Sequence, residues 1–211
     1  MLDTTKLSIF LLAALALLLA PGPAVLYIVT RSVSQGRSAG LASVLGIAAA
    51  SLVHIAAAAL GLSAILLSSA LAFNVVKYVG AGYLIFLGLR KLFGRANEQV
   101  GQAIRSESLR RIFWQGCVVN LLNPKTALFF FAFLPQFVNL NGGSVAVQIL
   151  LLGGVFVGMA LITDGSYALL ASLLAGRLKN SQRFLGAQRY VAAAVYVGLG
   201  VTTAISGSGK K

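Results

Sequence analysis

The sequence predicts an all-α polytopic membrane protein, with six transmembrane helices arranged as two inverted three-helix repeats with broken first helices. Three observations predict it. Apolar runs of about 20 residues or more recur along the chain, each long enough to cross a bilayer. Lys and Arg gather in alternate connections between those runs, as cytoplasmic loops do. The two halves also resemble each other faintly, and each carries a proline break in its first span. Composition agrees. Of 211 residues, 58% are hydrophobic and only 10% charged, too little polar surface to coat a soluble domain. The runs are too uniformly apolar for the alternating strands of a membrane barrel.

The six spans run over 7–30, 39–67, 71–93, 112–138, 147–175 and 186–206. The first connection holds Arg31 and Arg37. The third holds Arg90, Lys91, Arg95, Arg105, Arg110 and Arg111, and the fifth Arg177, Lys179, Arg183 and Arg189. With six spans these share one face, and the other receives only Lys6, Lys210 and Lys211. The asymmetry puts both termini on the periplasmic side. It also accounts for the net charge of +13 as topology, so no nucleic-acid partner is expected. The opening "MLDTTKLSIFLLAALALLLAPGPA" has the outline of a signal peptide. Asp3 and the continuation through "VLYIV" fit a spanning helix better. The polar stretch 94–111, "GRANEQVGQAIRSESLRR", reads as a solvated cytoplasmic linker between a first repeat, 1–93, and a second, 112–211.

The repeat shows in two places. "KYVGAGYLIFLGL" at 77–89 aligns with "RYVAAAVYVGLGV" at 189–201, each opening on a base, Tyr and Val, with Gly88 meeting Gly200. The first spans break at "PGP", 21–23, and "NPK", 123–125. Three spans per half is an odd number, so the second half enters the membrane inverted. Lys77 then lies near the outer face and Arg189 near the cytoplasmic one.

Proline inside a helix removes a donor and clashes with the preceding turn. In lipid the freed groups need partners, so such a break belongs against protein or a wet cavity. Asn123–Pro124 reads as an N-cap followed by Pro at the first helical position, and Gly22–Pro23 reads similarly. Each would start a half-helix whose free N–H groups and positive end suit a carboxylate. Lys125 adds a full charge beside the second start. The plainer alternative is a pair of simple kinks. Asp164 is the only acid inside any span and so a functional candidate. It would pair with Lys125, take a substrate ammonium or carry a proton. His54, central in the second span, titrates near neutral pH and is a second coupling candidate, with plain packing as the alternative. Asn120, with Gln115 and Gln136, reads as polar lining. Carbonyls near Pro21 and Asn120 are expected to be free to help hold the ammonium.

"LLLAPGPAVLYIVTRSVSQGRSAGLASVLG", "VVKYVGAGYLIFLGLRKL" and "NLLNPKTALFFFAFLPQFV" together resemble the LysE/RhtB family of amino-acid exporters over nearly the whole chain. The resemblance implies a bacterial inner-membrane protein that exports amino acids or close derivatives, in exchange for protons. The matching positions are Pro21, Gly22, Pro23, Asn123, Pro124, Lys125 and Asp164. Family members differ in substrate. Having a single buried acid favours neutral amino acids, homoserine-, threonine- or leucine-like, over dicationic ones. Export of another small solute or cation, and a passive channel, are the alternatives. Homo-oligomer formation stays open. No enzyme, cofactor or metal site is expected, because HExxH, GxSxG and Cys/His clusters are absent and Cys117 is the single cysteine.

Overall fold

In the computed structural model the described residues are 4–62, 106–140 and 142–175, with single positions at 75, 78, 79, 82, 85, 86, 89, 93, 197 and 201. Apart from those positions, the predicted third and sixth spans lie outside the described residues. So do Lys77 and the aligned segments 77–89 and 189–201. Among the described residues every regular element is helical.

Helix α1, Thr4–Leu19, ends before the PGP break, and α2, Pro23–Gln35, begins on its second proline. The pair bends by 50°. Helix α3, Arg37–Ala57, follows after one residue and opens into a wide π turn at Ala58–Leu62. Helix α4, Leu109–Leu121, and α5, Pro124–Leu128, form a second broken pair. The latter runs on through a π turn, Phe129–Phe133, and a 3₁₀ turn, Leu134–Phe137, and the bend there is 51°. Helix α6, Val145–Leu173, is unbroken. At about 1.5 Å per residue it exceeds the apolar thickness of a bilayer. Helices α3 and α6 are each long and apolar enough to cross a membrane, and each bent pair passes the same test as one span.

The predicted loop between the first two spans is a correction. Arg31, Ser32, Ser34 and Gln35 read as a connection, yet all are helical. The reversal is made by Gly36 alone, at φ +82°, a conformation that carries no steric cost only for glycine. Its N–H donates to the Ser32 carbonyl at 3.0 Å, closing α2.

Helix α3 is central and packs on α2, α4 and α6. Small residues permit this. A Cβ on Gly46 would collide with the Phe113 carbonyl of α4, and one on Gly116 would stand 2.9 Å from the Ser43 carbonyl of α3. Lipid supplies no hydrophobic drive between helices, so close packing of this kind must hold them. The main core is aromatic. Phe10 of α1 meets Phe129 and Phe137, while Phe156 of α6 stacks on Phe129 at 4.3 Å between centroids. The FFF run thereby ties the second broken span to α1 and α6.

Candidate substrate site at the two breaks

Proline chemistry builds the site. At each break a half-helix stops, an extended residue follows and a new half-helix starts. Asn123 is that extended residue in the second break. Its Oδ1 accepts the Lys125 N–H at 3.1 Å, with Pro124 at the first helical position, as the Asn-Pro pair predicts. Gly22 holds the same place before Pro23 and offers no side-chain cap.

The two breaks come together through Lys125. Its Nζ donates to the Ala20 carbonyl at 2.6 Å, beside Pro21 and Gly22, both buried. A cation thus sits on the carbonyl end of α1, where the helix dipole favours it. Asp164 of α6 is 5% exposed. It acts electrostatically on Lys125, but no direct ion pair joins them among the described residues. No donor to its carboxylate is found there either. Lys125 and Asp164 are therefore a buried charge pair held apart.

Asn120 centres a second cluster. Its Nδ2 donates to the Ile47 carbonyl at 2.8 Å and to Ser51 Oγ at 2.9 Å, and its Oδ1 accepts from Thr126 Oγ1 at 2.8 Å. The His54 Nε2 donates to the Asn120 carbonyl at 3.1 Å, and a carbonyl can only accept, so Nε2 carries the proton. The ring is stacked on Phe130 and edged by Phe131.

Two expectations change here. The carbonyls of Ala20 and Asn120 are not free. Lys125 occupies that of Ala20, while His54 and the Asn123 N–H share that of Asn120. A break creates orphan carbonyls, and in an apolar interior the nearest buried donors take them. The second change concerns Tyr167, which sequence reasoning missed. Its hydroxyl donates to the Leu19 carbonyl at 3.0 Å. Ser51 and Thr126 were missed as well. The available signal was spacing, since Ser51 and Tyr167 each stand three residues from a position already singled out.

A second polar assembly lies at the end of the bundle that carries Arg31, Arg37, Arg110 and Arg111. Arg31 is 7% exposed. It reaches Gln115 Oε1 at 2.8 Å, Gln35 Oε1 at 3.0 Å and Glu107 Oε1 at 3.2 Å. Glu107 also meets Arg111 at 3.2 Å, and Gln35 Nε2 donates to the Glu107 carbonyl at 3.0 Å. A cleft of about 470 Å³ opens beside Tyr27, Arg31, Arg111 and Trp114. The linker's far end, residues 106–108, is exposed at Ser106 and Ser108 and is tied to α2 through Glu107, as opposite charge explains. Burial pushes the Glu107 carboxyl up, but Arg31, with Arg111 behind it, outweighs burial and holds it below the ordinary 4.5. A depressed carboxyl stabilises the fold above about pH 4.5 and loses that contribution as pH falls through its folded value. The melting temperature of Glu107→Gln in detergent should therefore lie below wild type at neutral pH, and the two should converge in acid. A gap constant from pH 7 to pH 3 would exclude the charge as its cause.

The family model for LysE type translocators matches residues 15–207. The chain belongs to the LysE type translocators. This translocator is 30% identical over 174 residues to the homoserine/homoserine lactone efflux protein of Salmonella typhimurium, covering 82% of the chain and 84% of that protein. It is 29% identical over 202 residues to the uncharacterized membrane protein YrhP of Bacillus subtilis, covering 92% and 95%. An uncharacterized membrane protein of Vibrio cholerae is 29% identical over 195 residues, covering 92% and 94%. No solved structure matches the translocator.

Proposed function

We propose that this translocator is a secondary exporter of neutral amino acids, driven by proton antiport across the bacterial inner membrane, with both termini periplasmic. Homoserine and its lactone are the first candidate substrates, given the Salmonella relative's name. One observation carries the reading: Lys125 and Asp164 are buried, oppositely charged and not directly paired. Buried charges are costly and need partners. A zwitterion fits that need, its carboxylate on Lys125 and the Asn123–Pro124 half-helix start, its ammonium on Asp164. Protonation of Asp164 from the periplasmic side would release the ammonium and couple export to the gradient. The halves 1–93 and 112–211, joined by the linker 94–111, would rock about this site as inverted repeats, and the equal bends at the two breaks support that symmetry.

The test is export from cells preloaded with homoserine-containing dipeptides, overexpressing strain against empty vector. Homoserine should appear outside faster, and an uncoupler should abolish the difference. No added efflux of any amino acid would overturn the reading. Efflux indifferent to the uncoupler would favour a passive channel.

A further inference from the structure

Each proline deprives one carbonyl of its helical donor. The Leu19 carbonyl would accept from residue 23 and the Asn120 carbonyl from residue 124, and both are prolines without an N–H. The Asn120 carbonyl still accepts the Asn123 N–H at 3.1 Å but has a second lone pair to satisfy, and a carbonyl short of donors is expensive in a membrane. The side chains that fill the two places come from different helices. Tyr167 of α6 donates to Leu19, in the first break. His54 of α3 donates to Asn120, in the second.

These contacts are reciprocal. Helix α3 is the second span of the first half, and its donor seats in the break of the second half. Helix α6 is the second span of the second half, and its donor seats in the break of the first. Exchanging the halves turns one contact into the other. Neighbouring positions follow the same rule. Ser51, three residues before His54, receives the Asn120 side chain. Asp164, three residues before Tyr167, acts on Lys125, which is seated on Ala20 next to Leu19. The spacing from His54 to Tyr167 is within one residue of that from Lys77 to Arg189, the pair that opens the aligned segments.

We infer that His54 and Tyr167 are equivalent positioning residues, each hydrogen-bonded to the carbonyl four residues before the other half's proline and holding that break in place for the substrate. The inference rests on the two-half exporter reading for its function, and it gives His54 a donor's task rather than a proton-coupling one. The chemistry required is narrow. The side chain must donate to a fixed carbonyl. Phenylalanine at either position keeps the ring and loses the donor, while glutamine at 54 keeps an N–H near the reach of Nε2.

The decisive experiment pairs each donor with each proline in the full chain, purified in detergent. Pro124→Ala returns an N–H to residue 124 and lets the helix run on, so that N–H can take the place of His54 on the Asn120 carbonyl. Pro23→Ala does the same for Leu19 and Tyr167. His54→Phe should lower the melting temperature by about 3 °C in the wild-type background, the shift usual for one lost interaction in a chain this long. It should cost clearly less with Pro124→Ala and the full amount with Pro23→Ala. Tyr167→Phe should show the mirror pattern, and His54→Gln should recover most of the loss. Equal costs in both proline backgrounds would overturn the inference. The thermal readout needs no substrate, so it decides the matter even where L-homoserine is not exported. In the transport assay, His54→Phe and Tyr167→Phe should each raise the half-saturating internal L-homoserine concentration several-fold, with His54→Gln near wild type. A fall in maximal rate alone, matched by lost protein, would mark both residues as merely structural. Should a proline variant fail to fold, the comparison of His54→Gln with His54→Phe still separates a donor from a packing ring.

Discussion

Lys125→Met should lower homoserine export about 30-fold or more, the consequence of losing about 2 kcal/mol or more of buried charge pairing. The change removes the cation that would face the substrate carboxylate. It also removes the hydrogen bond from Nζ to the Ala20 carbonyl. Two stability effects oppose each other. An orphaned carbonyl costs about 1–3 kcal/mol, while removing a buried ammonium relieves its desolvation. The melting temperature should therefore move little while export collapses. The lactone separates the roles further. Its ester ring carries no carboxylate, so lactone export should suffer much less than homoserine export. Initial efflux rates of the two compounds, normalised to membrane protein, provide the measurement. Equal losses for both would remove Lys125 from carboxylate recognition.

Asp164→Asn should act differently. Asparagine keeps the shape and loses both the negative charge and the exchangeable proton. The ammonium is common to homoserine and its lactone, so both should be exported about tenfold more slowly or worse, the range for a hydrogen bond to a charged partner. The residual flux should also lose its dependence on the proton gradient. Proteoliposomes with an imposed pH difference are the direct assay. Wild type should accelerate homoserine transport with the gradient, and Asp164→Asn should not. A variant that still responds to the gradient would move coupling to another group.

Much of the fold was legible because its strongest signals are local. A proline's missing N–H acts within four residues, so the two breaks could be placed from "PGP" and "NPK" alone. The Asn123 cap followed from the Asn-Pro order. The bent pairs and the long α3 and α6 followed from apolar length. What the sequence hid was tertiary. It identifies which carbonyls a proline orphans but not which donors reach them, so Lys125, His54 and Tyr167 appear in those roles only once the helices are packed. Arg31 read as a loop residue, because a buried arginine is acceptable only with partners, and Glu107 and Gln115 lie far along the chain. An exporter reading was available from the breaks and the two buried charges. Tyr167 was not, since an aromatic in an apolar run looks like packing.

The junction at Gly36 has a mechanical result. Helices α2 and α3 are joined by one residue with a left-handed backbone, so the connection has no slack. The start of α2 lies at the first break, and α3 carries His54 into the second. Under the proposed rocking cycle, a tilt of α2 would therefore be passed to α3 as by a crank, and the two breaks would move together. Substitution at Gly36 by a residue with a side chain would strain this joint through its positive φ and, under the proposed cycle, would change the rate of export rather than its specificity.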